Sequence, residues 1–563
     1  MKQLIECVPN FSEGIDKNVI QQIVREIEGC EGVRLLNVDP GKATNRTVIT
    51  FVGSPAAVIE AAFLAIRKAG ELIDMSVHKG EHPRMGATDV CPLIPIANIT
   101  LAETAEWAIK LAERVGTELH IPVYLYEDAQ KNKSRSNLSV IRAGEYEGFF
   151  KKIKLPDWSP DYGPAEMNRK SGATVIGARG FLIAFNVNLN TISTRRANAI
   201  AFDVREAGRV KREGDKLTGK IITSADGKPV HIPGSLKCVK AIGWYIKEYG
   251  IAQISMNLTN IAVTSMHKAF DEVCLKANER GIRVTGSELV GLVPLQAMTE
   301  AGKYFLKKQQ RSVGVSEKEL VRIAIKSLGL DALSDFIPAE RIIEYKLKEG
   351  EAENLVDLKV GDFVNETASE SPAPGGGSIA ALSGAMGVAL GTMVANLSSH
   401  KKGWDERWEL YSQAAEKGQK LKDQFLRLVD EDTNAFNQIM DAFTLPKGTQ
   451  AETDFRRKQI QLATRQAMEI PLQVMAICAE SMEIVGAMAE TGNPNSISDA
   501  GVGAICLGGA VRGAYLNVKI NARGCDDKDF VLEKLKLGGE YESAVLIKEK
   551  QILEIVERKI NSN

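Results

Sequence analysis

Between Ala373 and Ser399 the chain carries no ionisable side chain, and this stretch begins at Gly375-Gly376-Gly377 behind Pro374. A segment this long and uncharged can cross a bilayer or sit inside a helical assembly. Its composition favours the second course. It is built of Ala, Gly, Ser and Thr with few large apolar residues, so transfer to lipid gains little. Gly384, Gly387 and Gly391 would let neighbouring helices approach closely. A helix buried in a soluble bundle, with no membrane partner, is the expectation. The triple glycine would leave backbone N–H groups unpaired and unobstructed at the helix entrance, where an anion or a planar polar ligand can dock. Taken alone it also reads as a flexible linker cap, and that plainer reading is favoured.

The stretch also divides the chain. Upstream, β-branched runs at Leu4–Val8, Val33–Val38, Arg46–Val52 and Ile121–Tyr126 alternate with helical periodicity at Asn18–Ile27 and Ala56–Ile73. A second α/β unit follows, with strands in FLIAFNVNL and QISMNL and helices over Ser193–Glu206 and Ser265–Glu279. Within it, residues 207–235 are basic, polar and dotted with glycine, as in a long excursion or flap. Residues 326–365 read as a linker, ending in a charged run through Lys346, Lys348, Glu349, Glu351 and Glu353. From 366 onward the pattern is helical, broken at Leu445–Gly448 and Gly492–Ser498, as suits an antiparallel bundle. The expected fold class is therefore multidomain. An N-terminal α/β part has two subdomains (1–180 and 181–325), and an all-α bundle occupies 366–563.

With 563 residues and a formal net charge of −1, no global field draws in nucleic acid or an anionic surface, which points to small-molecule substrates. Eight scattered cysteines without a C-x-x-C pair look like reduced thiols. MKQLIECVPNF lacks a signal-peptide core, and a cytoplasmic location is expected.

The densest polar cluster is DMSVHKGEHPRMGATDVCPLIPI, residues 74–96. His78 and His82 are spaced as helical metal ligands, but Gly80 and Pro83 break the helix and no third ligand is close, so no metal is expected. In a loop, flanked by Glu81 and Arg84 and locked by Pro83, His82 can titrate near neutrality and act as a general base. The commoner case is a surface or hydrogen-bonded structural histidine. Two of only six histidines within this segment tilt the balance modestly towards function. Asn10, Asp39, Asn45 and Arg46 fall at strand edges, where ligand groups and ordinary turns both occur.

ECVPNFSEG, TNRTVITFVG, HKGEHPRMGATDVCP, DYGPAEMNRKSGATVIGARGFLIAFNVNLN and SELVGLVPLQA, in that order, resemble the formiminotransferase family over about residues 1–325. That resemblance implies transfer of the formimino group from N-formimino-L-glutamate to N5 of tetrahydrofolate. It matches His82 to the family's catalytic histidine. Gly163, Pro164, Ala165, Glu166, Met167, Asn168, Arg169, Lys170, Ser171 and Gly172 match a folate-contacting loop, and Asp39 an acidic position near the site. Asp39 would orient His82. Arg84 would hold a substrate carboxylate, because guanidinium pairs bidentately.

SPAPGGGSIAALSGAMGVALGTMV, LVDEDTNAF and GNPNSISDAGVGA resemble the formiminotetrahydrofolate cyclodeaminase family, which also includes methenyltetrahydrofolate cyclohydrolases. Asp430 and Asp432 lie two apart on a helix and must face different ways, so one at most faces the bundle interior. The resemblance places the catalytic aspartate at Asp432 and makes Gly375, Gly376 and Gly377 a folate entrance; Asn493, Asn495, Ser496 and Asp499 would either cap a helix or contact the pterin ring. It implies tetrahydrofolate as co-substrate and a homo-oligomer through both domains, while the basic 207–235 segment would either attract a polyglutamyl tail of folate or be a solvated surface loop. Fused in one chain, the second domain would cyclise 5-formiminotetrahydrofolate to 5,10-methenyltetrahydrofolate with loss of ammonia. The alternatives are a cyclohydrolase in that position, or a non-catalytic folate-binding scaffold.

Overall fold

The computed structural model describes residues 3–562 apart from 43, 81, 215–218, 225–226 and 349–353. Glu81 and the charged residues Glu349, Glu351 and Glu353 of the expected linker lie outside the described residues. Two compact units result, Met1–Met298 with Leu328–Glu349, and Thr299–Ser327 with Gly350–Asn563.

The α/β unit opens with a sheet of β1 (Leu4–Cys7), β2 (Asn10–Phe11), β3 (Val33–Gly41), β4 (Arg46–Gly53), β5 (Thr88–Ala97), β6 (Val123–Glu127) and β7 (Thr174–Ala178). Strands β1 and β2 share one lane between β4 and β5, antiparallel to both. On one side β3 flanks β4, and on the other β5, β7 and β6 run parallel. Helices α1 (Lys17–Glu28), α2 (Pro55–Leu72) and α3 (Leu101–Glu118) share a core with this sheet. In α1 the buried residues Ile20, Ile23, Val24 and Ile27 recur every three or four positions, and Asp16 accepts from the N–H groups of Asn18 and Val19. A capping box between Thr100 and Glu103 starts α3. Two short helices follow β6, α4 (Leu138–Arg142) and α5 (Glu145–Lys152).

Strand alternation sends Ile5, Ile49 and Phe51 into that core and turns their neighbours to the opposite face. There Glu6 lies opposite Val52, and Asn10 and Asp39 lie on either side of Val48. Arg46, two residues before Val48, shares the face.

The second sheet is fully antiparallel in the order β11 (Val239–Ile246), β12 (Ile251–Leu258), β8 (Ile183–Leu189), β13 (Val284–Val290). Val187, Leu189, Ile254 and Met256 are buried on the side covered by α6 (Thr194–Val204) and α7 (Met266–Asn278), where Phe185 meets Phe270. Its other face carries Asn186, Asn188, Gln253 and Glu288. Among its described residues, the excursion at 207–235 forms a short hairpin of β9 (Arg209–Val210) and β10 (His231–Ile232), the latter exposed.

The helical unit contains Gly376–Ser399, Trp408–Thr444, Gln450–Thr491, Ile497–Ala522 and Lys528–Asn561; two of its breaks fall at the expected 445–448 and 492–498, and those at 400–407 and 523–527 were not anticipated. Thr449 and Glu452 form a capping box at the third of these. The uncharged helix is apolar enough to cross a membrane, yet 61% of its most apolar window is buried within the protein. A side chain at Gly384 would collide with the Phe425 ring, and one at Gly387 with the Gly503 carbonyl. Those glycines permit the close helix contact.

The expected boundary at 325 and linker at 326–365 do not correspond to the units. Residues 299–327 pack with the bundle: Val313 N–H donates to Ser412 Oγ at 3.0 Å, Asn396 Nδ2 donates to Gly314 O at 2.7 Å, and Lys303 pairs with Glu416 at 2.6 Å. The chain then returns to the α/β unit, where Ser287 Oγ donates to Leu328 O, Val293 N–H to Arg341 O, and Arg34 to Leu347 O. The first segment holds two amphipathic helices and the second two short ones, and periodicity says nothing about which partner a helix chooses.

Candidate active sites

His82 sits half-buried in the loop before β5. Its Nδ1 lies 2.7 Å from the Pro83 carbonyl. A carbonyl only accepts, so Nδ1 carries the proton and Nε2 is left as the basic nitrogen. Burial pushes its pKa down to about 4, helped by the positive charges of Arg46 and Arg142, and Asp89 opposes this. His82 is therefore neutral at physiological pH. The two guanidiniums converge on one carboxylate oxygen: Arg46 Nη1 lies 2.5 Å and Arg142 Nη2 2.6 Å from Asp89 Oδ2. Asp89 is fully buried and its other oxygen accepts from Met85 N–H. Asn10 Oδ1 accepts from Arg46 Nε at 3.0 Å, whereas Arg142 Nε is buried without a partner. Two positive charges share one negative charge, so the cluster favours an anion. Lys152 holds α4, and hence Arg142, by donating to the carbonyls of Val140, Ile141 and Ala143.

The titration gives a direct check. In an NMR pH series, His82 is expected to titrate near pH 4 rather than near 6.5, with the assignment made by its loss in His82→Ala. Because the folded-state pKa is depressed, the unfolded chain takes up the proton first. His82 thus costs stability as pH falls from about 6.5 through 4.

Other expected site residues fall elsewhere. Arg84 is not placed to receive a substrate: its guanidinium is buried against Glu147 at 2.8 Å and Glu145 at 3.1 Å, and donates to the His78 ring and carbonyl. Both nitrogens of His78 are thereby engaged, since Nε2 meets the Asn45 carbonyl at 3.0 Å. Asp39 does not orient His82. It is partly buried on β3, where burial raises its pKa, Arg341 opposes the rise and Glu288 adds to it. Asp89, which the sequence reading missed, is the carboxylate beside His82. No spacing signal joins it to Arg142, because folding brings them together from either side of α3 and β6.

The 163–172 loop is pinned at its C-terminal end. Gly172 has φ +71° and packs against the Met85 carbonyl and Gly86, while Ala87 N–H donates to Ser171 O. Met167 is buried, and Asn168 Oδ1 accepts from the N–H groups of Lys170 and Ser171. Gly163, Pro164, Ala165, Glu166, Arg169 and Lys170 are exposed.

In the helical unit, Asp432 docks on the entrance of the uncharged helix. Its Oδ2 accepts from Ser378 Oγ at 3.1 Å, and the Ser378 backbone N–H also bonds the carboxylate. Gly375 is the N-cap, and a Cβ at Gly377 would fall 2.1 Å from Asp432 Oδ1. Burial raises the Asp432 pKa, and the two Ser378 bonds oppose that rise. Asp430 faces away, accepting from Leu355 N–H at 2.8 Å, and Glu431 pairs with Arg427. Asn495 is exposed in the turn that follows Asn493, whose N–H bonds Ser398 Oγ. Ser398 is at the opposite end of the helix from Ser378, about 30 Å away at 1.5 Å per residue. Within this chain the fold does not bring Asn495 to Asp432.

Family profiles described as the formiminotransferase domain's N-terminal subdomain, the formiminotransferase domain, and formiminotransferase-cyclodeaminase match residues 4–179, 184–348 and 359–536. A formimidoyltransferase-cyclodeaminase of Gallus gallus is 43% identical over 95% of each chain. A glutamate formimidoyltransferase of Streptococcus pyogenes is 40% identical over 54% of this chain and 94% of its own. A methenyltetrahydrofolate cyclohydrolase of Methylorubrum extorquens is 40% identical over 35% of this chain and 96% of its own. The three profile matches, together with similarity over 95% of each chain to a protein of that name, lead to one assignment: the chain belongs to the formimidoyltransferase-cyclodeaminase family.

Proposed function

We propose that the chain carries the formimino group through two consecutive reactions on one folate. In the first, N5 of tetrahydrofolate attacks the formimino carbon of N-formimino-L-glutamate, and glutamate departs. His82 Nε2 takes the proton from N5 and returns it to the departing glutamate nitrogen. Arg46 and Arg142 hold a substrate carboxylate. An anion bound there offsets their charge and raises the basicity of His82 at the moment it is needed. In the second reaction Asp432 takes the proton of N10 as it attacks the formimino carbon, then delivers it to the leaving ammonia. The observation that carries this reading is the neutral His82, with a free basic nitrogen beside two arginines that share one carboxylate.

The cyclohydrolase relative favours a second reading for the helical unit, hydrolysis of the methenyl product. Rates of methenyl formation from 5-formimino- and from 10-formyltetrahydrofolate separate the two. A faster rate from the 10-formyl compound would displace the cyclodeaminase reading.

The protein acts as a homo-oligomer in this proposal, and as a cytoplasmic enzyme, consistent with its eight free cysteines. Support for assembly comes from two adjacent bundle helices. Met386 and Met393 on one, and Val502 and Ile505 on the other, are between 38% and 51% exposed. Met386→Glu with Ile505→Glu is expected to lower the mass measured by light scattering to that of a smaller species. An unchanged mass would remove this face from the assembly. The basic hairpin at 207–235 offers a surface for the polyglutamyl tail of folate, checked by comparing KM for mono- and pentaglutamyl tetrahydrofolate.

A further inference from the structure

We propose that Glu288, set in an amide ladder on the second sheet, reads the pyrimidine edge of the pterin and so determines folate specificity in the transferase unit. This rests on the transferase reading above. One cross-strand row of that sheet contains Trp244, Gln253, Asn188 and Gly286, and the next contains Ile242, Ser255, Asn186 and Glu288. The Trp244 indole N–H donates to Gln253 Oε1 at 3.1 Å, which fixes the orientation of that amide. Gln253 Nε2 then donates to Asn188 Oδ1 at 2.8 Å and to Glu288 Oε2 at 3.2 Å. Asn186 Nδ2 donates to the same oxygen at 3.3 Å, and the Tyr249 hydroxyl to Oε1 at 3.2 Å.

The core does not require this polarity, because the apolar face of the sheet is the one packed under α6 and α7. Asn188 is fully buried, yet its Nδ2 has no partner. Such a donor is costly unless something completes it. The contacts to Glu288 are long, and an ionised carboxylate has about four acceptor positions, so it can accept more. Tetrahydrofolate presents two adjacent donors, N3–H and the 2-amino group, which match two carboxylate oxygens as a guanidinium does. Trp244, 37% exposed in the adjoining row, offers a flat ring beside them.

Charge separates the two substrates. The Glu288 carboxylate repels the carboxylates of formiminoglutamate, which the arginines beside His82 attract. The competing reading is that Glu288 binds the cationic formimino group instead.

The test is Glu288→Gln in the full chain, which keeps the shape of the side chain. Glutamate release should show a KM for tetrahydrofolate raised about tenfold, with the KM for formiminoglutamate unchanged. Preference for tetrahydrofolate over its 2-desamino analogue should collapse, and ammonia release from supplied 5-formiminotetrahydrofolate should persist, showing a folded chain. Quenching of tryptophan fluorescence by 5-formyltetrahydrofolate, with Trp244→Phe as control, should weaken equally. That measurement stands even if the wild type releases no glutamate, a result that would sink the transferase reading itself. An unchanged KM and unchanged quenching, a raised KM for formiminoglutamate alone, or retained discrimination against the analogue would overturn the proposal.

Discussion

Replacing His82 by Ala is expected to lower glutamate release from formiminoglutamate by about 10²- to 10⁴-fold, the range of general base catalysis. Ammonia release from supplied 5-formiminotetrahydrofolate should be untouched, since Asp432 lies in the other compact unit. Geometry makes the effect specific. The Nδ1 proton is committed to the Pro83 carbonyl, so Nε2 is the nitrogen of this ring that can act as the base. Asp89→Asn should act on the same step differently. It removes the charge shared by Arg46 and Arg142, leaves two guanidiniums facing His82, and depresses its basicity further. Activity at neutral pH would fall, with partial recovery at higher substrate concentration.

The second large effect is expected at the entrance of the uncharged helix. Asp432→Asn should abolish ammonia release while glutamate release continues, because an amide cannot carry the proton between N10 and the leaving nitrogen. Gly377→Ala should cause the same selective loss without touching an ionisable group. Its Cβ would fall 2.1 Å from Asp432 Oδ1, and that carboxylate must move off the helix entrance. If Gly377→Ala retained full activity, the docked position of Asp432 would be irrelevant to catalysis. Loss of both activities in either variant would indicate misfolding instead.

These two sites were unequally legible in the sequence. The bundle could be read well. An uncharged stretch with regularly placed glycines has few destinations, and Asp430 and Asp432 had to face different ways. The triple glycine, which alone read as a linker cap, proved to be a helix entrance in which Gly377 is dictated by a carboxylate on another helix. The transferase site was half legible. His82 stood out in a dense polar loop and Asn10 and Arg46 at strand edges, and the structure gathers them. Arg84 stood out equally, but two glutamates from α5 claim it. Asp89 and Arg142 gave no signal, because a buried ion pair between distant segments leaves no local pattern. The strands β5 and β7 were missed for a similar reason. TDVCPLIPIA carries two prolines, and TVIGA is short and contains glycine, so neither shows clean alternation.

The central claim is that one chain performs two consecutive steps on one folate, each governed by its own proton carrier. It is tested most directly by supplying the protein with formiminoglutamate and tetrahydrofolate alone. Glutamate, ammonia and the methenyl chromophore are then followed together. The account predicts all three in equal final amounts, with His82→Ala slowing all three by about 10²- to 10⁴-fold and Asp432→Asn producing glutamate only. Glutamate without ammonia from the unaltered protein, or ammonia release that survives Asp432→Asn, would contradict it.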